Sequence, residues 1–240
     1  MKTWQKFLIP TLITLAIGGL YLFIVFKHRQ DPGVASQKQP TEQLTADDVA
    51  VVRMEFPQHF DDVIDLQGKS VWMKNGYSMS YFPYAGGRVE FSKKVGVIPA
   101  DQQLDIKKII KATVPAGVSD GVQHGSHQAM AVFTLPGGKD QFATPIGYVE
   151  GNDEAYYTDL LFYYDDPHTI YSHWSKDTWA AIDAHQVKPG MSELQVRTAI
   201  GMNAQYEGQK EGDRTATYDV NGKHYTIAFV KNHATSIKSE

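Results

Sequence analysis

Two short runs in this chain carry residue types able to do chemistry. His124-Gly125-Ser126-His127 sets two imidazoles three residues apart, a spacing that suits one face of a helix. A loop can also fold such a pair onto zinc or another divalent ion. Gly125 and the preceding 115–121 stretch argue for a loop, and no third ligand stands beside the pair, so two solvated histidines is the plainer reading. Asp165-Asp166-Pro167-His168, with His173 five residues on, combines carboxylate and imidazole for metal ligation or acid/base work. The same Asp-Pro pair is a turn or helix start, Asp capping and Pro fixing φ. Ser126 lacks a Gly-x-Ser-x-Gly elbow, and neither a Walker loop nor a dinucleotide fingerprint occurs. Asp153, Glu154, Asp159, Asp165 and Asp166 lack the alternation of an EF-hand and read as a solvated acidic face. The expectation is therefore no catalytic, cofactor-binding or metal-ligating set. The alternative is a metal-assisted hydrolase using the His124/His127 and Asp165/His168 groups, with His173 as a further candidate.

Aromatic residues are concentrated. Residues 72–84 and 156–179 hold 13 of the 28, enough to build two cores and a seam between them. Tyr and Trp also favour interfaces, because they give rigid contact area with a polar handle. Tyr81, Phe82 and Tyr84, beside Gly86-Gly87, are the expected exposed partner-binding set.

The 240 residues contain no cysteine, which excludes disulfides, thiolate metal sites and a cysteine nucleophile. The net charge of −4 divides into +4 over residues 1–30 and −8 over the remainder. So acidic a remainder excludes nucleic acid as a natural partner.

Residues 7–26, FLIPTLITLAIGGLYLFIVF, carry no charge and have the length of a membrane span, flanked by basic residues. The expectation is a single transmembrane helix at 1–29, an uncleaved signal anchor. A cleaved signal peptide is the rival, disfavoured by Lys27-His28-Arg29 directly after the apolar run. Residues 30–43 read as a flexible linker. The positive-inside rule leans towards a single-pass membrane protein with its C-terminal part extracytoplasmic, in the periplasm.

A helix is expected over 44–56 with Thr45 as N-cap, although Val49, Val51 and Val52 are poor helix formers. Asn75-Gly76 predicts a two-residue hairpin joining 69–74 to 77–82, with Trp72 opposite Met79. Further strands are expected at 89–91, 95–98, 104–114, 129–135 and 142–149, which as a set indicate a small barrel or sandwich. Ser175 and Ser192 each open a helix, with Trp174/Trp179 and Met191/Val196 as hydrophobic staples, Gln195 completing a capping box and Gly201 ending the second helix. Asn221-Gly222 predicts a hairpin joining 214–220 to 223–230, and 234–238 a third strand.

The run Gly190-Met191-Ser192-Glu193-Leu194-Gln195-Val196-Arg197-Thr198-Ala199-Ile200-Gly201 resembles the helix motif of the BamE (SmpA/OmlA) family, with Asn203 where the family has proline and no lipobox cysteine. Gly96-Val97-Ile98-Pro99-Ala100, followed by Leu104-Asp105-Ile106, is similar to the loop-and-strand pattern of bacterial SH3-like domains. Patterning and resemblance together give the expectation of an α+β chain. It would hold one N-terminal transmembrane helix, a small SH3-like β barrel over 44–165, and a two-helix plus three-stranded antiparallel module, BamE-like, over 166–240. They imply a cell-envelope protein that binds a protein, peptide or cell-wall partner and uses no cofactor.

Overall fold

The structure, a computed structural model, describes residues 5–30, 44–118 and 125–240. It forms two compact units, Met1–Thr45 and Ala46–Glu240. In the first, helix α1 spans Gln5–Gln30. Among the described residues no helix is long and apolar enough to cross a membrane. The expected transmembrane helix is corrected accordingly. The expected linker over 30–43 falls almost wholly outside the described residues.

The second unit begins with an irregular strap instead of the helix expected over 44–56: one turn at 46–49 and then backbone in neither helix nor strand to residue 58. β-Branched Val49, Val51 and Val52 disfavour a helix, and the strap finds its partners elsewhere in the unit. Helix α2 (Phe60–Ile64) follows. Next come β1 (Ser70–Met73), β2 (Ser80–Ala85), β3 (Arg88–Val89), β4 (Gly96–Val97), β5 (Gln103–Thr113), β6 (His127–Thr134), β7 (Gln141–Glu150) and β8 (Asp153–Tyr156). Helix α3 (Thr158–Leu161) then leads into β9 (Phe162–Tyr163). These nine strands make one antiparallel sheet in the order β3-β2-β7-β6-β5-β1-β9, with β4 on β2 and β8 on β7. The order is open, so the expected small barrel is corrected to a broad sheet.

Asn75-Gly76 does not make the expected hairpin. β1 pairs with β5 and β9, and Trp72 lies opposite Gln103 and Tyr163. Gly76 serves close approach: a Cβ there would stand 2.2 Å from Ala100 Cα, and a Cβ on Gly201 2.5 Å from the Gly76 carbonyl oxygen. A two-residue turn signal is local, and here a non-local backbone contact overrides it.

Both faces of the central strands are covered, which explains why β6 reads as a continuous apolar run. Ala129, Ala131 and Phe133 join a core with Val71, Met73, Leu104, Ile106, Ile146 and Phe162. Met130 and Val132 point to the other face, with Ala143. A second core gathers Tyr163, Trp174, Trp179, Ile182, Val196, Ile200, Tyr218 and Phe229. Strand alternation makes the seam: Phe162 points into the first core and Tyr163 into the second.

Beyond the seam, local chemistry prevails. Asp166 caps α4 (Pro167–Ile170), its carboxylate accepting the His168 N–H. Ser175 caps α5 (Lys176–Asp183), and Ser192 with Gln195 forms the capping box of α6 (Glu193–Ile200). The sheet that follows has four strands, β10 (Ala204–Lys210), β11 (Asp213–Val220), β12 (Lys223–Val230) and β13 (His233–Ser239), one more than expected. Asn221 and Gly222 take positive φ in the β11–β12 turn, as that hairpin requires. Strand β10 escapes sequence reading because it is a polar edge broken by a bulge between Glu207 and Lys210. Helix α6 is clasped to this sheet by Glu193, which is fully buried. Its carboxylate accepts the Gly212 N–H at 2.9 Å and bonds from Arg214 Nε at 3.2 Å and Nη2 at 2.5 Å.

Candidate functional site

Charge in the second unit is segregated. Residues 46–66 hold six acids against Arg53, and residues 153–183 hold seven against Lys176, a net −11. The rest of 46–240 holds 12 acids and 16 bases, a net +4. The fold stitches the two acidic segments together along the strap. Asp47 Oδ1 accepts from Trp174 Nε1 and faces His173 Nε2, each at 2.6 Å. Arg53 donates to the Tyr164 carbonyl at 3.1 Å, lies 3.6 Å from Asp165 and sits over the Tyr164 ring. Asp159 accepts the N–H groups of Glu55 and Phe56 at 2.9 and 2.8 Å, which holds Phe56 at a positive φ of 49°. His59 Nδ1 meets Glu154 at 2.9 Å.

Beside the strap lies a cleft of about 170 Å³. Val63, Leu66 and Tyr164 close its floor, and Glu55, Asp62, Asp65 and Lys69 supply its charge. Asp62 accepts the N–H groups of His59 and Gln58, which hold its carboxyl below the usual carboxylate range. Burial pushes Asp159 upward, but the Glu55 N–H, the Tyr164 hydroxyl and the Phe56 N–H outweigh it and leave that carboxyl below its ordinary value. Both groups are therefore anionic at neutral pH. The carboxylates of Glu55, Asp62 and Asp65 outnumber the one ammonium of Lys69 around the cleft, which favours a long cationic side chain.

The residues singled out in the sequence are dispersed. Phe82 is 1% exposed and packs on Phe91, so it cannot belong to an exposed set. Tyr81 is half-buried against Phe133 and Phe142, and Tyr84 is half-buried against the Met130–Val132 face. Strand alternation puts Phe82 on the opposite face to Tyr81, which no composition argument registers. His124 lies outside the described residues. His127 pairs with Glu150 at 3.2 Å, and its N–H and imidazole hold the Glu150 carboxyl below the usual range. Ser126 donates its N–H to the same carboxylate.

His127 and His168 do not meet. Strand β5 has 11 residues, which at about 3.3 Å each span roughly 33 Å. His127 pairs with Thr113 at its far end, whereas His168 lies with Asp101, two residues before its near end. His168 is also joined by Asp183, and stacks on Trp179 with ring centroids 3.9 Å apart. Asp165 faces Arg53 and His173 faces Asp47.

Asp47, Asp101, Glu150 and Asp183 were missed in the sequence. Counting back along the β6–β7 hairpin from its 136–139 link places Glu150 near His127, the one usable signal among them. Asp47 lies more than 120 positions from its partners, and Asp101 sits in a loop of unremarked composition. Comparison of the chain with protein-family models, with curated proteins and with solved structures gives no match.

Proposed function

We propose that this chain is a non-enzymatic binding module that takes a lysine- or arginine-rich segment of a protein partner on its acidic face. The observation that carries the reading is charge segregation: a net −11 on two segments that meet along the strap, beside a cleft with three carboxylates against one lysine. Long-range attraction of this kind raises encounter rates with a cationic partner, and the cleft supplies the short-range fit. The BamE-like run 190–201 supports a binding role by analogy of fold alone. The hydrolase alternative needs His127 and His168 in one pocket, and they stand at opposite ends of β5.

The test is fluorescence anisotropy of a labelled lysine-rich peptide titrated with the full chain. Binding should weaken steeply with salt. Glu55→Gln and Asp65→Asn should each weaken it by about two- to fivefold, the scale of one partly exposed ion pair. Equal binding of a neutral peptide of the same length, or unchanged affinity in both variants, would overturn the reading.

A further inference from the structure

We infer that Asp101, His168 and Asp183 form a binding site for a divalent first-row transition-metal ion, with Asp166 orienting the imidazole. This site is separate from the cleft proposed for a basic segment, and the two stand or fall independently.

The backbone sets Asp101 in place. Gly76 lets the Ala100 backbone come into contact, and the Asp101 N–H donates to the Met73 carbonyl at 2.8 Å. Asp101 takes a φ of 58°, a left-handed conformation that Asp tolerates better than most residues. Its Oδ1 is buried and has no hydrogen-bond partner among the described residues. A buried carboxylate oxygen without a partner is costly, and a cation is one of the few things that satisfies it.

His168 is held on two sides. Its ring stacks on Trp179, tilted by 19°. Asp166 Oδ1 accepts the His168 N–H at 2.9 Å and lies 3.2 Å from Nδ1. With Nδ1–H donated to Asp166, the lone pair sits on Nε2, and Nε2 is 3.3 Å from Asp183 Oδ1. In that tautomer a cation between Nε2 and Asp183 Oδ1 would be bound by both groups. The carboxylate–imidazole–metal relay is the usual way a protein fixes the tautomer of a ligating histidine.

One ligand atom from each of the three residues lies within 4.8 Å of the others. Tetrahedral zinc, with N and O ligands at about 2.0–2.2 Å, needs them roughly 3.3 Å apart. The Nε2–Asp183 pair is already at that distance, and the half-exposed Asp183 side chain is able to shift towards Asp101. One imidazole with two carboxylates suits zinc, manganese or iron, whereas magnesium and calcium prefer oxygen alone. Three protein ligands leave a tetrahedral ion one position for water.

The experiment is isothermal titration of the chelator-treated full chain with zinc chloride alone. One tight equivalent is expected, not displaced by millimolar magnesium. Asp101→Asn and Asp183→Asn should each weaken it at least tenfold, and Asp166→Asn by about tenfold while keeping the stoichiometry. His127→Ala, which removes the distant His127–Glu150 pair, should leave the tight equivalent unchanged. Absence of a saturable equivalent, or wild-type affinity in Asp183→Asn, overturns the site. Asp183 is exposed at the end of α5, so that variant decides the matter even if Asp101→Asn fails to fold.

Discussion

Replacing Arg214 with Met tests whether the C-terminal sheet is held to α6 by a desolvated ion pair. Glu193 is 0% exposed and the Arg214 side chain 16%. Arg214 supplies Nε and Nη2 to the carboxylate and covers the Tyr206 ring at 3.8 Å. Arg214→Met keeps much of the apolar stem but leaves a buried carboxylate with the Gly212 N–H as its remaining donor among the described residues. Removing one partner of a buried pair costs about 3–5 kcal/mol, because the other charge stays desolvated. For a unit of this size that lowers the melting temperature by roughly 10 °C. Thermal and urea unfolding of the full chain, followed by circular dichroism, measure the change. Glu193→Leu combined with Arg214→Met should recover much of the loss, since the unpaired charge is then gone. The reasoning is refuted if Arg214→Met costs under about 1 kcal/mol, the range of a solvent-screened surface pair.

Four further expectations follow from particular contacts. Gly76→Ala drives a Cβ to 2.2 Å from Ala100 backbone atoms and should destabilise by at least about 2–3 kcal/mol. Gly86→Ala, at a φ of 58° with open space around it, should cost only about 1 kcal/mol in the same unfolding assay. Asp47→Ala removes the acceptor of Trp174 Nε1 and the partner of His173, so it should cost about 2 kcal/mol and speed proteolysis within 46–58. Asp159 has its folded pKa below the unfolded 3.8, so its contribution is present above that value and is lost as pH falls below it. The strap should therefore loosen below about pH 4, read as protease susceptibility after an acid pulse, and Asp159→Asn should already show that loosening at neutral pH.

The C-terminal third was legible because its signals are local. Ser175, Ser192 with Gln195, and Asn221-Gly222 each act on backbone groups within a few residues, so the sequence by itself determined where those helices begin and where that hairpin turns. The long strands β5, β6 and β7 were legible through β-branched content and the Pro136-Gly137-Gly138-Lys139 link. The acidic runs were equally visible as composition.

Tertiary structure alone decided which of these pieces meet. Asn75-Gly76 carries the same dipeptide as Asn221-Gly222, yet Ala100 and Gly201 press on Gly76 and no hairpin forms. Phe82 looked like Tyr81 and Tyr84 until strand alternation buried it. Charge on 46–66 became a face only when Asp159 and Trp174 captured the strap, and Asp101 met His168 only through the packing that folds the β4–β5 loop back. Caps and tight turns are set by neighbours in the chain, whereas strap, face and ligand cluster depend on contacts whose partners lie tens of residues or more away.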